Sequence, residues 1–100
     1  MTETLQIISG KCVTSPQGWQ LDILSLGAVR YAEAERSIIL EVEDRPNVTG
    51  DLEWILYTPD NWVWTISDRK EPVEKGKIPE ILNRIGLAFW KLDMPIKEIV

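Results

Sequence analysis

Apolar and polar positions alternate with a period of two through most of this chain. The period changes once, near the C-terminus, to that of a helix. Ile78, Ile81, Leu82, Ile85, Ala88, Phe89 and Leu92 recur at helical spacing, while Glu80, Asn83, Arg84 and Lys91 fall largely between them. That pattern predicts one amphipathic helix. Pro79 must sit in its first turn, because a proline deeper inside would lose a hydrogen bond, so the helix starts between Gly76 and Pro79. Met94-Pro95 marks its stop. Gly86 is read as a gap on the inner face that lets a sheet tryptophan approach.

The strands are read from the alternation and from turn residues. Gln6-Ile7-Ile8 makes a first strand that stops near Ser9-Gly10, and Lys11 to Thr14 is its partner or its continuation through a bulge. Ser15-Pro16-Gln17-Gly18 is a turn. Trp19, Leu21 and Ile23 define the next strand, broken at Gly27. Ala28–Glu33 and Ser37–Glu43 form a hairpin, with Ile38, Leu40 and Val42 on one face and Ile39, Glu41 and Glu43 on the other. Residues 44–50 read as a loop. In 51–58, Leu52, Trp54 and Leu56 face away from Glu53, Ile55 and Tyr57. Trp62, Trp64 and Ile66 close the meander, 67–72 is a polar loop, and Ile96 to Val100 adds an edge strand or covers the core.

A sheet and a helix that each carry one apolar face bury both by packing together. The expectation is therefore a single α+β domain over residues 1–100. It is an antiparallel sheet of about five or six strands, with one C-terminal amphipathic helix on one face. The topology of residues 1–26 stays open. No opening run of basic then apolar residues suggests a leader, since Met1-Thr2-Glu3-Thr4 is polar and acidic, and no apolar run reaches membrane-spanning length. A cytoplasmic location is expected.

Charge changes this picture more than composition does. The net charge is −5, and residues 41–60 carry Glu41, Glu43, Asp44, Asp51, Glu53 and Asp60 against Arg45 alone. The whole excess thus falls in one hairpin-sized window. Nucleic acid is excluded as a partner, because phosphate binding needs a basic surface, whereas a basic protein surface is complementary. The bland reading of these acids is a solvated face. A metal or catalytic cluster is the weakest reading, as no cation-loop spacing is present.

Chemistry-bearing residues are few. The chain has no histidine, which removes the commonest general base and metal ligand. Cys12 is alone, so there is no internal disulfide and no thiolate cage. No catalytic residue, metal site or cofactor is expected. Five tryptophans against one phenylalanine point mainly to the core. Trp62, beside the Asp60-Asn61 turn, is the one most readily placed at a surface.

From Gly27 onward the order of features resembles the immunity protein 74 type, a small α+β family of bacterial polymorphic toxin systems. The resemblance is carried by Val29-Arg30-Tyr31-Ala32-Glu33, then Ser37-Ile38-Ile39-Leu40-Glu41-Val42-Glu43, and then a tryptophan strand. Glu71-Pro72-Val73 steps into a helix bearing Ile81, Ile85 and Ala88, and Ile96-Lys97-Glu98-Ile99-Val100 follows. Residues 1–26 lie outside it, and Gly76 and Pro79 stand where similar proteins carry helix-forming polar residues. The resemblance implies a non-enzymatic immunity protein that neutralises a cognate toxin by binding, and it supplies no catalytic residues. Glu43, Asp44, Asp51, Glu53 and Asp60 would then pair with a basic toxin surface, with Trp62 as an anchor. Two other readings fit the same residues: a homodimerisation domain, and a small-molecule binder with a pocket between sheet and helix.

Overall fold

The computed structural model describes residues 4–25 and 27–100; the polar opening Met1-Thr2-Glu3 lies outside them. Among the described residues, nine strands and one helix form, with eight strands before the helix and one after it. They are β1 (Gln6–Ser9), β2 (Cys12–Thr14), β3 (Trp19–Ser25), β4 (Ala28–Glu33), β5 (Arg36–Pro46), β6 (Leu52–Tyr57), β7 (Val63–Ile66), β8 (Arg69–Pro72), α1 (Lys77–Lys91) and β9 (Ile96–Ile99). They form one sheet in the order β1-β2-β3-β4-β5-β6-β9, with β7 joined to β5 and β8 to β7. The α+β class holds, but the sheet has more strands than five or six and is mixed.

Three stretches account for the difference. The 67–72 segment, expected to be a polar loop, turns back at Ser67 (φ 54°) and pairs along all of β7 as β8. Its side chains are mostly exposed, and a strand held by backbone bonds alone leaves no apolar alternation to read. The expected 44–50 loop is shorter, because β5 runs through Pro46 and pairs Arg45 with Glu53 and Pro46 with Leu52. The tail forms β9, which pairs with β6 in parallel. A helix reverses the chain between them, and a strand entered through such a crossover runs parallel to its neighbour.

The helix buries Ile81, Ile85, Ala88 and Phe89 against one face of the sheet, where Leu21, Val29, Leu40 and Leu56 are also fully enclosed. Trp19, Tyr31 and Trp64 form an aromatic row with ring centroids 6.0 and 6.2 Å apart, and Trp54 meets Phe89 edge-on at 5.9 Å. Trp62 is half-buried and packs on this core.

The helix begins with Gly76 at its N-cap, which places Pro79 in the first turn as expected. It ends before Met94-Pro95. Leu92 is the C-cap, Asp93 adopts φ 60°, and the Asp93 and Met94 amides donate to the Trp90 and Phe89 carbonyls at 3.0 and 2.8 Å. This double bond pattern is a Schellman stop. The expectation for Gly86 is overturned: a side chain there would meet nothing within 4 Å, so no tryptophan presses on it. Its bare backbone lines the outer side of the helix.

Candidate functional site

The acidic window becomes a two-stranded arm. β4 accompanies β5 only as far as Glu41, and β9 accompanies β6 only from Trp54 onward. Residues 43–53 therefore pair with each other and with no other strand among the described residues. The arm's tip is stiff. The Asn47 side-chain oxygen accepts from the Thr49 amide, the Thr49 hydroxyl and the Asp51 amide at 2.9, 2.7 and 3.0 Å. Gly50 takes φ 89°, a conformation that favours glycine. Val48 is fully exposed at this tip and Leu52 largely so, flanked by Asp44, Asp51 and Glu53.

The six residues singled out from sequence do not converge on one point. Glu43 and Glu53 share the helix-free face, diagonally placed across the β5–β6 ladder. Arg45 stands between them, its Nε 2.8 Å from Glu43 Oε2, and it donates to the Tyr57 hydroxyl at 3.0 Å. Tyr57 in turn donates to Glu43 at 3.2 Å. The hydrogen bond from Arg45 holds the Glu43 carboxyl below the usual range. Asp44 points to the opposite face, across from Trp54, and is exposed. Asp51 is partly engaged at the tip, 3.0 Å from the Thr49 hydroxyl, whose single proton it shares with Asn47. Asp60 lies in the β6–β7 turn and lines a surface hollow with Glu41 and Tyr57. Trp62 belongs to the core edge, apart from the arm. Arg45 offsets Glu43, so the uncompensated charge of the arm is Asp44, Asp51 and Glu53.

Sequence reasoning missed a second cluster, which holds the helix to the sheet. Tyr31 is fully buried and donates to Glu33 Oε1 at 2.8 Å, while Arg84 from α1 donates to the Tyr31 hydroxyl at 2.9 Å. Around Glu33 stand Lys77 Nζ at 3.0 Å, Arg36 at 3.3 Å and Arg84 at 3.7 Å. Glu80 and Glu74 complete the balance: Glu80 pairs with Lys77 and Arg84, both at 2.9 Å, and Glu74 pairs with Arg36 at 3.3 Å. Arg36 also stacks over Trp64, 4.4 Å from the ring centroid.

Three cations face three carboxylates, and no buried side-chain polar atom among the described residues lacks a partner. Burial works to raise the Glu33 carboxyl, but hydrogen bonds from Tyr31, Lys77 and Arg36 outweigh it and hold it below the usual value. Burial pushes the Tyr31 phenol well up, with Glu33 adding to the shift. Such mutual compensation fixes the geometry of the helix on the sheet. Only the i, i+3 and i, i+4 spacing of Lys77, Glu80 and Arg84 hinted at it in the sequence.

Other chemistry is sparse. No group of three or more Cys, Asp or Glu side chains able to hold a metal ion occurs among the described residues. Burial, and then the Asp22 carboxylate beside it, push the Cys12 thiol up, which suppresses its thiolate. No helix among the described residues is long and apolar enough to cross a membrane. No protein-family model, curated protein or solved structure matches the chain.

Proposed function

We propose that this chain is a cytoplasmic, non-enzymatic immunity protein that neutralises a cognate toxin by binding a basic surface on it. The reading rests on the resemblance of residues 27–100 to immunity proteins. The observation that carries it is the arm: residues 43–53 extend past the neighbouring strands, bear a formal charge of −3, and present Val48 and Leu52 among the acids. An apolar tip framed by like charges suits a partner whose cations surround an apolar contact, with charge setting the approach and burial setting the residence time. A stiff tip loses little conformational freedom on docking.

Asp44, Asp51 and Glu53 carry the steering in this reading, since Arg45 already pairs with Glu43 within the arm. Asp60 extends the acidic surface, and Trp62 supports the adjoining turn from the core. The test pairs the chain with the product of the neighbouring reading frame. Asp44→Lys with Glu53→Lys should slow association about tenfold at low salt, flatten its salt dependence, and weaken protection of toxin-expressing cells. A double variant that keeps wild-type association kinetics and full protection rejects the reading.

A further inference from the structure

We propose that Tyr57 is the positioning residue of the acidic arm: through Glu43 and Arg45 it fixes the direction in which the arm presents its tip and its carboxylates. Its use in binding rests on the reading of the arm as a docking surface.

A two-stranded ribbon is marginal by itself and twists more than a wider sheet, so residues 43–53 need support from beyond their own ladder. On the helix side Trp54 supplies it, meeting Phe89 edge-on at 5.9 Å. No helix covers the other face. Ile55 on that face is nevertheless only 4% exposed, and it lies outside the core cluster beneath α1. Register sets Glu43 of β5 and Glu98 of β9 beside it, and alternation along β6 adds Glu53 and Tyr57. Its cover is this shell of side chains, a second packing site at the root of the arm.

Three side chains on this face are tied together. Arg45 Nε stands 2.8 Å from Glu43 Oε2, and Arg45 Nη2 donates to the Tyr57 hydroxyl at 3.0 Å. The hydroxyl gives its own proton to Glu43 Oε2 at 3.2 Å. It thus serves as donor and acceptor at once and closes a ring of three hydrogen bonds.

The ring crosses the line where the supporting strands stop. Tyr57 lies opposite Glu41, the last residue of β5 that pairs with β4. Its chain neighbours are fastened to the tail: the Val100 amide donates to the Leu56 carbonyl at 2.9 Å, and the Thr58 amide to the Val100 carbonyl at 2.8 Å. Glu43 and Arg45 stand further out along β5, past the end of β4. Tyr57 therefore belongs to the fixed sheet and grips the first residues of the free ribbon.

Leverage makes this grip matter. Val48 lies five residues beyond Glu43, about 16 Å of extended chain, so a tilt of about 10° at the root carries the tip about 3 Å. A binding site must hold its contacts to about 0.5 Å. The aim of the arm thus depends on a hydroxyl that need not touch the partner.

Tyr57→Phe keeps the ring and removes only the hydroxyl. Direction is read on the free 15N-labelled protein from residual dipolar couplings. The order parameter of the 44–52 amides should fall from about 0.85 to about 0.6, while β3 and β4 keep theirs. Glu43→Gln with Arg45→Gln opens the same ring and leaves the arm's charge of −3 unchanged. It should loosen the arm equally, and adding Tyr57→Phe should loosen it no further, since members of one network are not additive. Against the product of the neighbouring reading frame, Tyr57→Phe should raise the dissociation rate about fivefold. Association and its salt dependence should stay as in wild type, the reverse of Asp44→Lys with Glu53→Lys. Unchanged couplings at 44–52, additive loosening in the triple variant, or an unchanged dissociation rate overturns the proposal. Loosening that spreads to β3 and β4 does so too, since Tyr57 would then hold the fold as a whole. A wild-type chain that forms no complex with that product refutes the arm as a docking surface; the couplings of the free protein still decide whether Tyr57 sets its direction.

Discussion

Replacing Glu33 with glutamine tests the charge cluster under the helix, because it removes one charge and keeps the shape. The Glu33 side chain is 13% exposed, and its three cationic partners are 14–26% exposed. Breaking a fully buried pair costs about 3–5 kcal/mol, whereas an exposed pair is worth less than about 1. Glutamine keeps one acceptor oxygen for Tyr31 or Lys77, and Glu80 and Glu74 still hold the cations from outside. An intermediate cost of about 2–3 kcal/mol at pH 7 follows. Urea unfolding, followed by the fluorescence of the buried Trp19 and Trp64, should show a midpoint lowered by about 1–2 M.

The pH dependence carries the sharper test. The folded Glu33 carboxyl titrates below its unfolded value of 4.5. Its contribution is therefore complete above that value and lost as pH falls through the lower folded value. Asp22, Glu43 and Glu74 are lowered too, so both proteins weaken in acid. The difference between wild type and Glu33→Gln isolates Glu33, and it should shrink steadily below pH 4.5. A difference that stays constant down to pH 2, or is absent at pH 7, would show that shape and not charge holds the helix here.

The helix stop gives a stabilising change: Asp93 sits at φ 60°, so Asp93→Gly should raise stability by about 0.5–1 kcal/mol, read as a Tm increase of several degrees. Ile85→Ala, at a fully buried position, should cost about 3–4 kcal/mol, whereas Leu87→Ala two residues on should stay within about 0.5; chemical denaturation of the pair checks which helix face is buried. The thiol of Cys12 should react with iodoacetamide at pH 8 more slowly than in the unfolded chain. Asp22→Asn should speed the reaction, since that carboxylate helps to suppress the thiolate.

By itself the sequence determined the parts whose pattern is enforced by burial on one face. Ile81, Ile85, Ala88 and Phe89 in α1, and Ile38, Leu40 and Val42 in β5, read true because a helix or strand with one dry face must repeat at its own period. The concentration of acid at 41–60 was equally legible, since formal charge needs no coordinates. Tertiary structure decided what depends on partners distant in sequence. β8 and the parallel pairing of β9 are held by backbone bonds, which leave little mark on side-chain pattern. Gly86 could be assigned to a face only once the helix had a fixed rotation on the sheet. The convergence of Tyr31, Glu33 and Arg36 with Lys77 and Arg84 requires α1 to be laid across β4 and β5, a contact between residues more than forty positions apart. Local periodicity reports which face is dry; only the folded chain reports what meets there, because that depends on the angle and register of packed elements.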